Sequence, residues 1–335
     1  MEKNKIYQIW DELASANVIG MIKKSYSPSF SNCIYCVLDK YMGNKGIAVS
    51  YSSEIIINLH QLGQLKDLQV YSANDTSLSP NKMLVILLTN DDYSEIFSVL
   101  CENLVLSISS IKEPKEIIKT VLNQLEKWRT LFDNIGRGGL PPHEQQGLYG
   151  ELFFLRKLLS VFYDIPEVIK TWVGSDKALR DFQYMKSAIE VKTTSTSNHQ
   201  KLHISSERQL DETFLDHLFL YHLSVEVSDK NGETLNDIVK KIKSMLHENI
   251  FASNMFDAKL MEAGYFIQDS EIYNDRSYRI RKESSYKITN GFPRLKESEL
   301  KNGVGDVTYT IVTDMCTDYL VPEGEIYNNI DLCRK

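Results

Sequence analysis

The chain has 335 residues, of which 42% are hydrophobic and 25% are charged, and its formal net charge is -7. This length and apolar content suffice for one or two globular domains with buried cores. The acidic balance argues against indiscriminate coating of nucleic acid, which needs a surplus of Lys and Arg on one face, but it is compatible with a local basic patch. There is no run of about 18 apolar residues and no secretory signal pattern at the N-terminus, so we expect a cytoplasmic protein that does not enter a membrane.

Residues 1–112 predict an α+β N-terminal domain. Strand-like runs are separated by turn signals at "MGNKG" and "ANDTSLSPN", and a helical segment, "YSEIFSVLCENLVL", closes the region. The strand-like runs are "CIYCVLD" (33–39), "GIAVSYS" (46–52), "SEIIINL" (53–59) and "KMLVILLT" (82–89). Cys33 and Cys36 lie in the first of these runs without a second close pair or nearby histidines, which favours a core strand over a zinc site. The role of this domain is not indicated.

Residues 113–146 predict a connecting helix followed by a linker. Pro114 suits a first helical turn, and apolar residues then recur at helical spacing along one face. These residues are Ile118, Leu122, Leu125, Trp128 and Phe132. The segment "NIGRGGLPPHEQQG" that follows is the stretch richest in Gly and Pro, which is typical of a domain boundary.

Residues 147–335 predict an α/β domain with a mixed sheet. A helix over "EQQGLYGELFFLRKLLSVFY" precedes the strand-like segments, and a second helix over "ETLNDIVKKIKSML" comes after them. The strand-like segments are 171–174, 180–184, 187–194 and 217–227.

Glu151 lies within the apolar stripe of the first of these helices. The stripe consists of Leu148, Leu152, Leu155, Leu159 and Phe162, and Glu151 falls inside its arc at about 100° per residue. A buried, unpaired carboxylate costs several kcal/mol, so Glu151 needs a donor, a cation or an ordered water on the neighbouring sheet. The alternative is that it snorkels at the edge of the stripe or caps a nearby backbone group.

The segment "RDFQYMKSAIEVKTT" places acidic residues and a lysine on two short strands. Glu190 and Lys192 project from the same face of the second strand, and a turn at "MKS" brings Asp181 beside Glu190. Two carboxylates and the carbonyl of Val191 form an oxygen site that suits Mg²⁺, for which Mn²⁺ can substitute. Lys192 would orient or help deprotonate the attacking water and stabilise charge on a phosphate.

Two further E-x-K tripeptides provide a comparison for this pattern. Glu113 and Lys115 flank a proline at a helix start, and Glu299 and Lys301 lie in the polar run "KESELKNG". Neither tripeptide has an upstream acid on a neighbouring strand. The pattern at Glu190 is therefore distinguished by its strand context.

The segments "GLYGELFFLRKLL", "TWVG", "RDFQY", "AIEVKTTS" and "HISSERQL", in this order, resemble the bacterial family catalogued as putative PD-(D/E)XK members of unknown function. The later "GFPRL" and "GDVTYTIV" extend the resemblance over most of residues 113–315. It implies a restriction-endonuclease-like core with a central mixed sheet flanked by helices. On that core Asp181 and Glu190 are the two motif acids, Lys192 is the lysine and Glu151 is the helix acid. Arg180 stands where the motif name has proline.

The segment "HISSERQL" has two interpretations. The spacing of Ser206 and Gln209 is that of a capping box, which predicts a strand ending at Ile204 and a helix starting near Ser206. His203 and Gln209 are in addition candidate contacts to phosphate or base. In the preceding polar loop, His199 is either a solvated residue or a phosphate contact beside Lys201.

The stretch "YNDRSYRIRKESSYKI" is the most obviously basic part of an acidic chain. Its cations include Arg279 and Arg281, and Tyr273, Tyr278 and Tyr286 are interleaved with them. This composition suits a strand that tracks phosphates while its tyrosines stack on bases. It also suits a solvated edge strand protected by charge. We favour nucleic-acid binding.

These observations predict a Mg²⁺-dependent DNA endonuclease, that is, a phosphodiesterase of bacterial restriction or phage defence. A non-catalytic nucleic-acid-binding or assembly subunit is the alternative, and RNA is a second candidate substrate. The chain contains no P-loop GxxxxGK[ST], so an ATPase would come from a partner subunit. A homodimer is the other candidate assembly.

Overall fold

A computed structural model describes residues 4–27, 34–135, 138–176, 178–195, 201–229, 231–330 and 332–334. The chain divides into two compact units, residues 1–135 and 136–335. None of the described helices carries an apolar stretch that could cross a bilayer.

The first unit contains a five-stranded sheet. Its strands are β1 (Met21–Ser25), β2 (Ile34–Asp39), β3 (Asn44–Tyr51), β4 (Leu68–Asn74) and β5 (Lys82–Leu88). They lie in the order β1-β2-β3-β5-β4, and every neighbouring pair is antiparallel. The central strands are almost entirely buried, as expected for runs rich in Val, Ile and Leu.

Three helices complete this unit: α1 (Lys5–Ser15), α2 (Ser94–Ser109) and α3 (Pro114–Asn134). The side chain of Asn4 caps α1 by accepting a hydrogen bond from the backbone N–H of Tyr7. Trp10 of α1 stacks on Phe97 of α2 at 5.7 Å, and Phe97 meets Trp128 of α3 edge-on at 5.8 Å. These contacts place α3, which we predicted to be a connecting helix, within the first unit.

Most elements predicted over residues 1–135 are present, but the strand predicted over residues 53–59 is wrong. Ile55 donates its backbone N–H to the carbonyl of Ser52 in a turn, and a short 3₁₀ helix begins at Leu59. Ile56 is 94% exposed, so its β-branched side chain has no core face to bury. The elements α1, β1 and β4 were not predicted from the sequence.

The described cysteines are all free thiols. Cys36 lies buried in β2, whereas Cys33 falls outside the described residues.

The second unit is built around a mixed sheet, as predicted. Its strands are β6 (Phe182–Tyr184), β7 (Ser187–Thr194), β9 (His217–Ser228), β10 (Glu233–Thr234), β11 (Ser277–Lys287) and β13 (Leu320–Val321). The order is β10-β11-β9-β7-β6, and β13 pairs with β11. Strands β7 and β9 are parallel, and the other neighbours are antiparallel.

The helices of this unit gather on one face of the sheet. They are α4 (Pro142–Val161), α5 (Ile165–Thr171), α6 (Leu235–Leu246), α7 (Ile250–Glu262) and α8 (Glu323–Asn328). Their apolar side chains form one core cluster with Ile189 and Val191 of β7. A Cβ atom at Gly150 would lie 1.8 Å from the Oγ1 atom of Thr193, so this glycine allows α4 to approach β7 closely.

The opposite face is covered by a small antiparallel sheet of β8 (Lys201–Ile204) and β12 (Tyr309–Val312). Leu202 and Ile204 pack there with Ala188 in a second cluster. A bulge in β11 shifts the register between Ile280 and Lys282 and reverses the alternation of its side chains.

Two local predictions for this unit are wrong. Residues 171–174 do not form a strand: Thr171 ends α5, and Trp172 makes an isolated bridge to Phe182. A helix does not start near Ser206, because the chain turns over residues 207–210 after β8 ends at Ile204 as predicted.

Candidate functional site

The β6–β7 hairpin brings Asp181 to the edge of β7. The ladder ends where Phe182 pairs with Ile189, and beyond this point the Oδ2 atom of Asp181 accepts a hydrogen bond of 2.7 Å from the backbone N–H of Val191. The carboxylate of Asp181 therefore accepts the N–H that a backbone carbonyl of a longer β6 would bind. The N–H and C=O of one strand residue point to the same side, so the carbonyl of Val191 faces this edge too.

Glu190 is 1% exposed and is only partly paired. Its Oε1 atom accepts a hydrogen bond from the Nζ atom of Lys192 at 2.8 Å. Its Oε2 atom has no hydrogen-bond partner within the described part of the chain. An unpartnered carboxylate oxygen at this depth is costly unless something else binds it.

Glu151 reaches the same edge from α4. The Nε1 atom of Trp172 donates a hydrogen bond of 2.7 Å to the Oε2 atom of Glu151. A Cβ atom at Gly174 would lie 2.9 Å from this oxygen and 2.9 Å from the Oδ1 atom of Asp181. The two carboxylates therefore line a small volume that the glycine keeps free.

The three carboxylates share one nearby lysine, and their pKa values reflect this imbalance. Burial raises the pKa of Glu151 to about 7, and the charge of Glu190 adds to the increase while the Trp172 bond opposes it. Burial also raises the pKa of Asp181, with Glu190 and Glu151 contributing, and it raises the pKa of Glu190 against the opposing effect of Lys192. Burial alone would lower the pKa of Lys192, but Glu190 raises it on balance.

The residues present fit a divalent cation. Asp181, Glu190 and the Val191 carbonyl are hard oxygen donors of the kind that Mg²⁺ and Mn²⁺ prefer, and one Glu190 oxygen is without a partner. Across the described ranges, no three His, Cys, Asp or Glu side chains converge as a ready-made metal cage. Mg²⁺ does not require such a cage, because it keeps several waters.

Gln209 joins this site, whereas the predicted residues of β8 do not. The Oε1 atom of Gln209 accepts a hydrogen bond from the Nζ atom of Lys192 at 3.3 Å. Lys201 and His203 are exposed and alternate with the buried Leu202 and Ile204, so they face away from the sheet that carries Glu190. His199 lies outside the described residues.

The predicted basic strand is β11. Arg279 pairs with Glu226 on β9, and Arg281, at the bulge, donates a hydrogen bond of 3.2 Å to the carbonyl of Ser195 just after β7. Both arginines are exposed.

The interpretation that the tyrosines of this stretch stack on bases is wrong. Tyr273, Tyr278 and Tyr286 are 0%, 1% and 3% exposed, because they fill the two core clusters of the second unit. Tyr278 stacks on Tyr149 of α4 at 4.4 Å.

Three residues around this site were not predicted from the sequence. Trp172 binds Glu151, and the buried Lys259 of α7 donates a hydrogen bond of 2.6 Å to the carbonyl of Trp172. The guanidinium of Arg180 donates to the carbonyls of residues 208, 209 and 211. Trp172 and Arg180 lie in the segments "TWVG" and "RDFQY", but their contacts are long-range and leave no local pattern.

A family model described as "Putative PD-(D/E)XK family member, (DUF4420)" matches residues 6–314. The match covers most of the chain and includes residues from both units. No curated protein and no solved structure matches the chain.

Proposed function

Because the chain belongs to the putative PD-(D/E)XK family, we propose that it is a Mg²⁺-dependent endonuclease that hydrolyses DNA phosphodiester bonds. On this proposal the second unit is a restriction-endonuclease-like core and the enzyme acts in bacterial restriction or phage defence in the cytoplasm. The supporting observation is the surplus of carboxylates over donors at the edge of β7, where Glu190 is buried and one of its oxygens is unpartnered.

Each residue of the site has a distinct task. Asp181, Glu190 and the Val191 carbonyl would hold the ion. A bound Mg²⁺ would supply charge neutralisation at the phosphate and a lower pKa for water. The ammonium of Lys192 would orient the attacking water and oppose the charge that develops on the phosphate. Glu151, whose pKa is about 7, is suited to exchanging a proton with that water near neutral pH.

The alternative is a non-catalytic nucleic-acid-binding or assembly subunit that retains this fold. It is favoured by the close ion pair between Lys192 and Glu190, which engages one oxygen of the acid that would bind the ion. An assembly role fits a homodimer or a partner subunit that carries an ATPase motor.

A metal titration separates the two functions. Calorimetry with Mg²⁺ and Mn²⁺ should show binding to the full chain, and cleavage of duplex DNA, single-stranded DNA and RNA should then be assayed in parallel. Lys192→Met should retain metal binding, while the rate of its chemical step should fall to a low residual value. Absence of both binding and cleavage would favour the alternative function.

The chain provides a matched control for these variants. Glu113 and Lys115 have the same spacing as Glu190 and Lys192 but lie at the start of α3 in the first unit, where Glu113 is exposed and its side chain makes no capping hydrogen bond, so Glu113→Ala should alter neither metal binding nor cleavage. If Glu113→Ala were as inactive as Lys192→Met, the assignment of the site would be wrong.

A further inference from the structure

The ammonium of Lys192 lies between two acceptors. One is the Oε1 atom of Glu190 at 2.8 Å, and the other is the Oε1 atom of Gln209 at 3.3 Å. The same Gln209 oxygen accepts hydrogen bonds from the backbone N–H and the hydroxyl of Ser205, at 3.0 and 3.1 Å. The direction of the Lys192 side chain therefore depends on where the turn over residues 205–211 holds Gln209.

Arg180 binds three backbone carbonyls of that turn. Its Nε atom donates a hydrogen bond of 3.1 Å to the carbonyl of Gln209, and its Nη2 atom donates to the carbonyls of Arg208, at 3.2 Å, and Asp211. The turn is not a regular helix: within it the carbonyl of Arg208 accepts one backbone hydrogen bond, from the N–H of Asp211, and the guanidinium supplies further donors from outside. Only a planar guanidinium offers several donors in a rigid fork, and neither a proline nor a lysine at this position could replace it.

We propose that Arg180 is a positioning residue: by binding the carbonyls of residues 208, 209 and 211 it holds Gln209 against Lys192 and so fixes the direction of the ammonium beside Glu190. Gln209 is then a positioning residue as well, and not a contact to nucleic acid. The catalytic task of the Lys192 ammonium rests on the proposed function. The chain of hydrogen bonds from Arg180 through Gln209 to Lys192 does not depend on that function.

A purely structural Arg180 would behave differently. It would lower stability, and any loss of activity would persist whether or not Lys192 were present. A positioning residue acts through Lys192 and has no further effect once Lys192 is removed. The two roles are therefore separated by a double-mutant cycle.

The kinetic test compares Arg180→Lys and Gln209→Met with Lys192→Met and the corresponding double variants, in the full chain with Mg²⁺. Arg180→Lys and Gln209→Met should each lower kcat about 10-fold with little change in KM, since a misplaced catalytic group slows the reaction more than it weakens substrate binding. Neither should lower further the residual rate that Lys192→Met retains, measured under single-turnover conditions with enzyme in excess. Gln209→Glu keeps an acceptor oxygen and should restore most of the rate. Multiplicative losses in the double variants would overturn the proposal.

Arg129→Lys is the matched control. Arg129, in the first unit, also donates to a backbone carbonyl, that of Leu62 at 3.2 Å, and its replacement should leave kcat unchanged. Gln209 is half-buried and makes fewer contacts than Arg180, so Gln209→Met provides the test if Arg180→Lys does not fold.

A second measurement does not depend on cleavage. With ¹³C-labelled lysine, the ε-methylene resonance of Lys192 is identified by its disappearance in Lys192→Met, at one pH and without metal. Arg180→Lys and Gln209→Met should both displace this resonance, and Arg129→Lys should not. If the protein cleaves no nucleic acid but the resonance moves, the result supports the positioning of Lys192 by Arg180 and Gln209 and contradicts the proposed function. An unmoved resonance in both variants would overturn the arrangement.

Discussion

Asp75 in the first unit and Glu190 in the second are buried to nearly the same extent, at 2% and 1% exposure, but their surroundings differ. Asp75 accepts hydrogen bonds from the Nζ atom of Lys23 at 2.6 Å, from the hydroxyl of Ser50 at 2.7 Å and from the backbone N–H of Ser77 at 2.9 Å. Burial alone would raise the pKa of Asp75, but these bonds lower it on balance.

Glu190 has Lys192 beside it and two further carboxylates nearby, and one of its oxygens is unpartnered. Its pKa is raised by burial, as is that of Asp181. The comparison shows that burial alone does not distinguish a structural carboxylate from a candidate functional one. The number of donors per carboxylate does, because only a deficit leaves room for a cation.

Glu190→Ala tests this difference between the two carboxylates most directly. We expect cleavage to fall by on the order of 10³-fold or more, since a ligand to the ion is lost. Folding should be preserved or improved, because removing one crowded carboxylate relieves repulsion when metal is absent. Cleavage rate and melting temperature on one preparation check both expectations. A wild-type rate would exclude Glu190 from the site.

Glu151→Leu tests whether the carboxylate on α4 is functional or merely tolerated. The surrounding helix is apolar, so leucine should be accepted by the fold and should stabilise it. The single-turnover rate should fall by on the order of 10²-fold, as when a positioned catalytic group is removed. A stabilised protein with an unchanged rate would show that Glu151 does not belong to the site.

Asp75→Asn is the reciprocal experiment in the first unit. We expect it to destabilise this unit by about 2 kcal/mol, because Lys23 loses the opposite charge beside it and its hydrogen bond to residue 75 is then made to a neutral oxygen. Urea unfolding measures the change. Cleavage by folded protein should be unaffected, and a specific loss of rate would contradict the structural role given to Asp75.

Gly174→Ala perturbs the space between Asp181 and Glu151 without removing a charge. The added Cβ atom would lie 2.9 Å from an oxygen of each, so these carboxylates must move apart. We expect roughly a 10-fold loss of rate, in line with small misplacements of catalytic groups. Gly147→Ala on α4 is the control: its Cβ atom meets nothing within 4 Å, and it should stabilise the helix by about 0.5–1 kcal/mol.

The smallest expected effect is a difference in pH dependence between the units without metal. Because the pKa of Glu151 is raised from 4.5 to about 7 in the folded state, its contribution to stability is fully present below about pH 4.5 and is lost as the pH rises through 7. The pKa of Asp75 is lowered, so its contribution is present above its ordinary pKa of 3.8 and is lost only in acid. Between pH 5 and 8, calorimetry should show a falling melting temperature for the second unit.

Mg²⁺ should reverse that fall, because an ion bound to the folded state stabilises it. Glu151→Gln should flatten the pH dependence without metal. A pH dependence confined to the first unit would contradict the assignment of the raised pKa values.

The geometry around Asp181 was predictable because it is local. Alternation along β7 and a turn at residues 185 and 186 suffice to bring Asp181 beside Glu190, and helical periodicity suffices to turn Glu151 inward. Trp172 was not predictable as the partner of Glu151, since their contact joins two elements whose packing the local pattern does not specify. The burial of the tyrosines was not predictable because both faces of the sheet are covered. Tyr278 packs in one core cluster and Tyr286, beyond the bulge, packs in the other, while Tyr273 lies in a 3₁₀ helix that precedes β11.

Strand β6 is only three residues long, and its length has an evolutionary consequence. Asp181 reaches the N–H of Val191 because no backbone from β6 is there to take it. A lineage that extended β6 by two residue pairs, so that residue 180 paired with Val191, would close this gap with an ordinary ladder bond and displace the acid, even with Glu190 and Lys192 intact. Insertions and deletions in one arm of this hairpin can therefore create or remove such a site. Two chains that share all the motif residues can still differ in the position of the first acid.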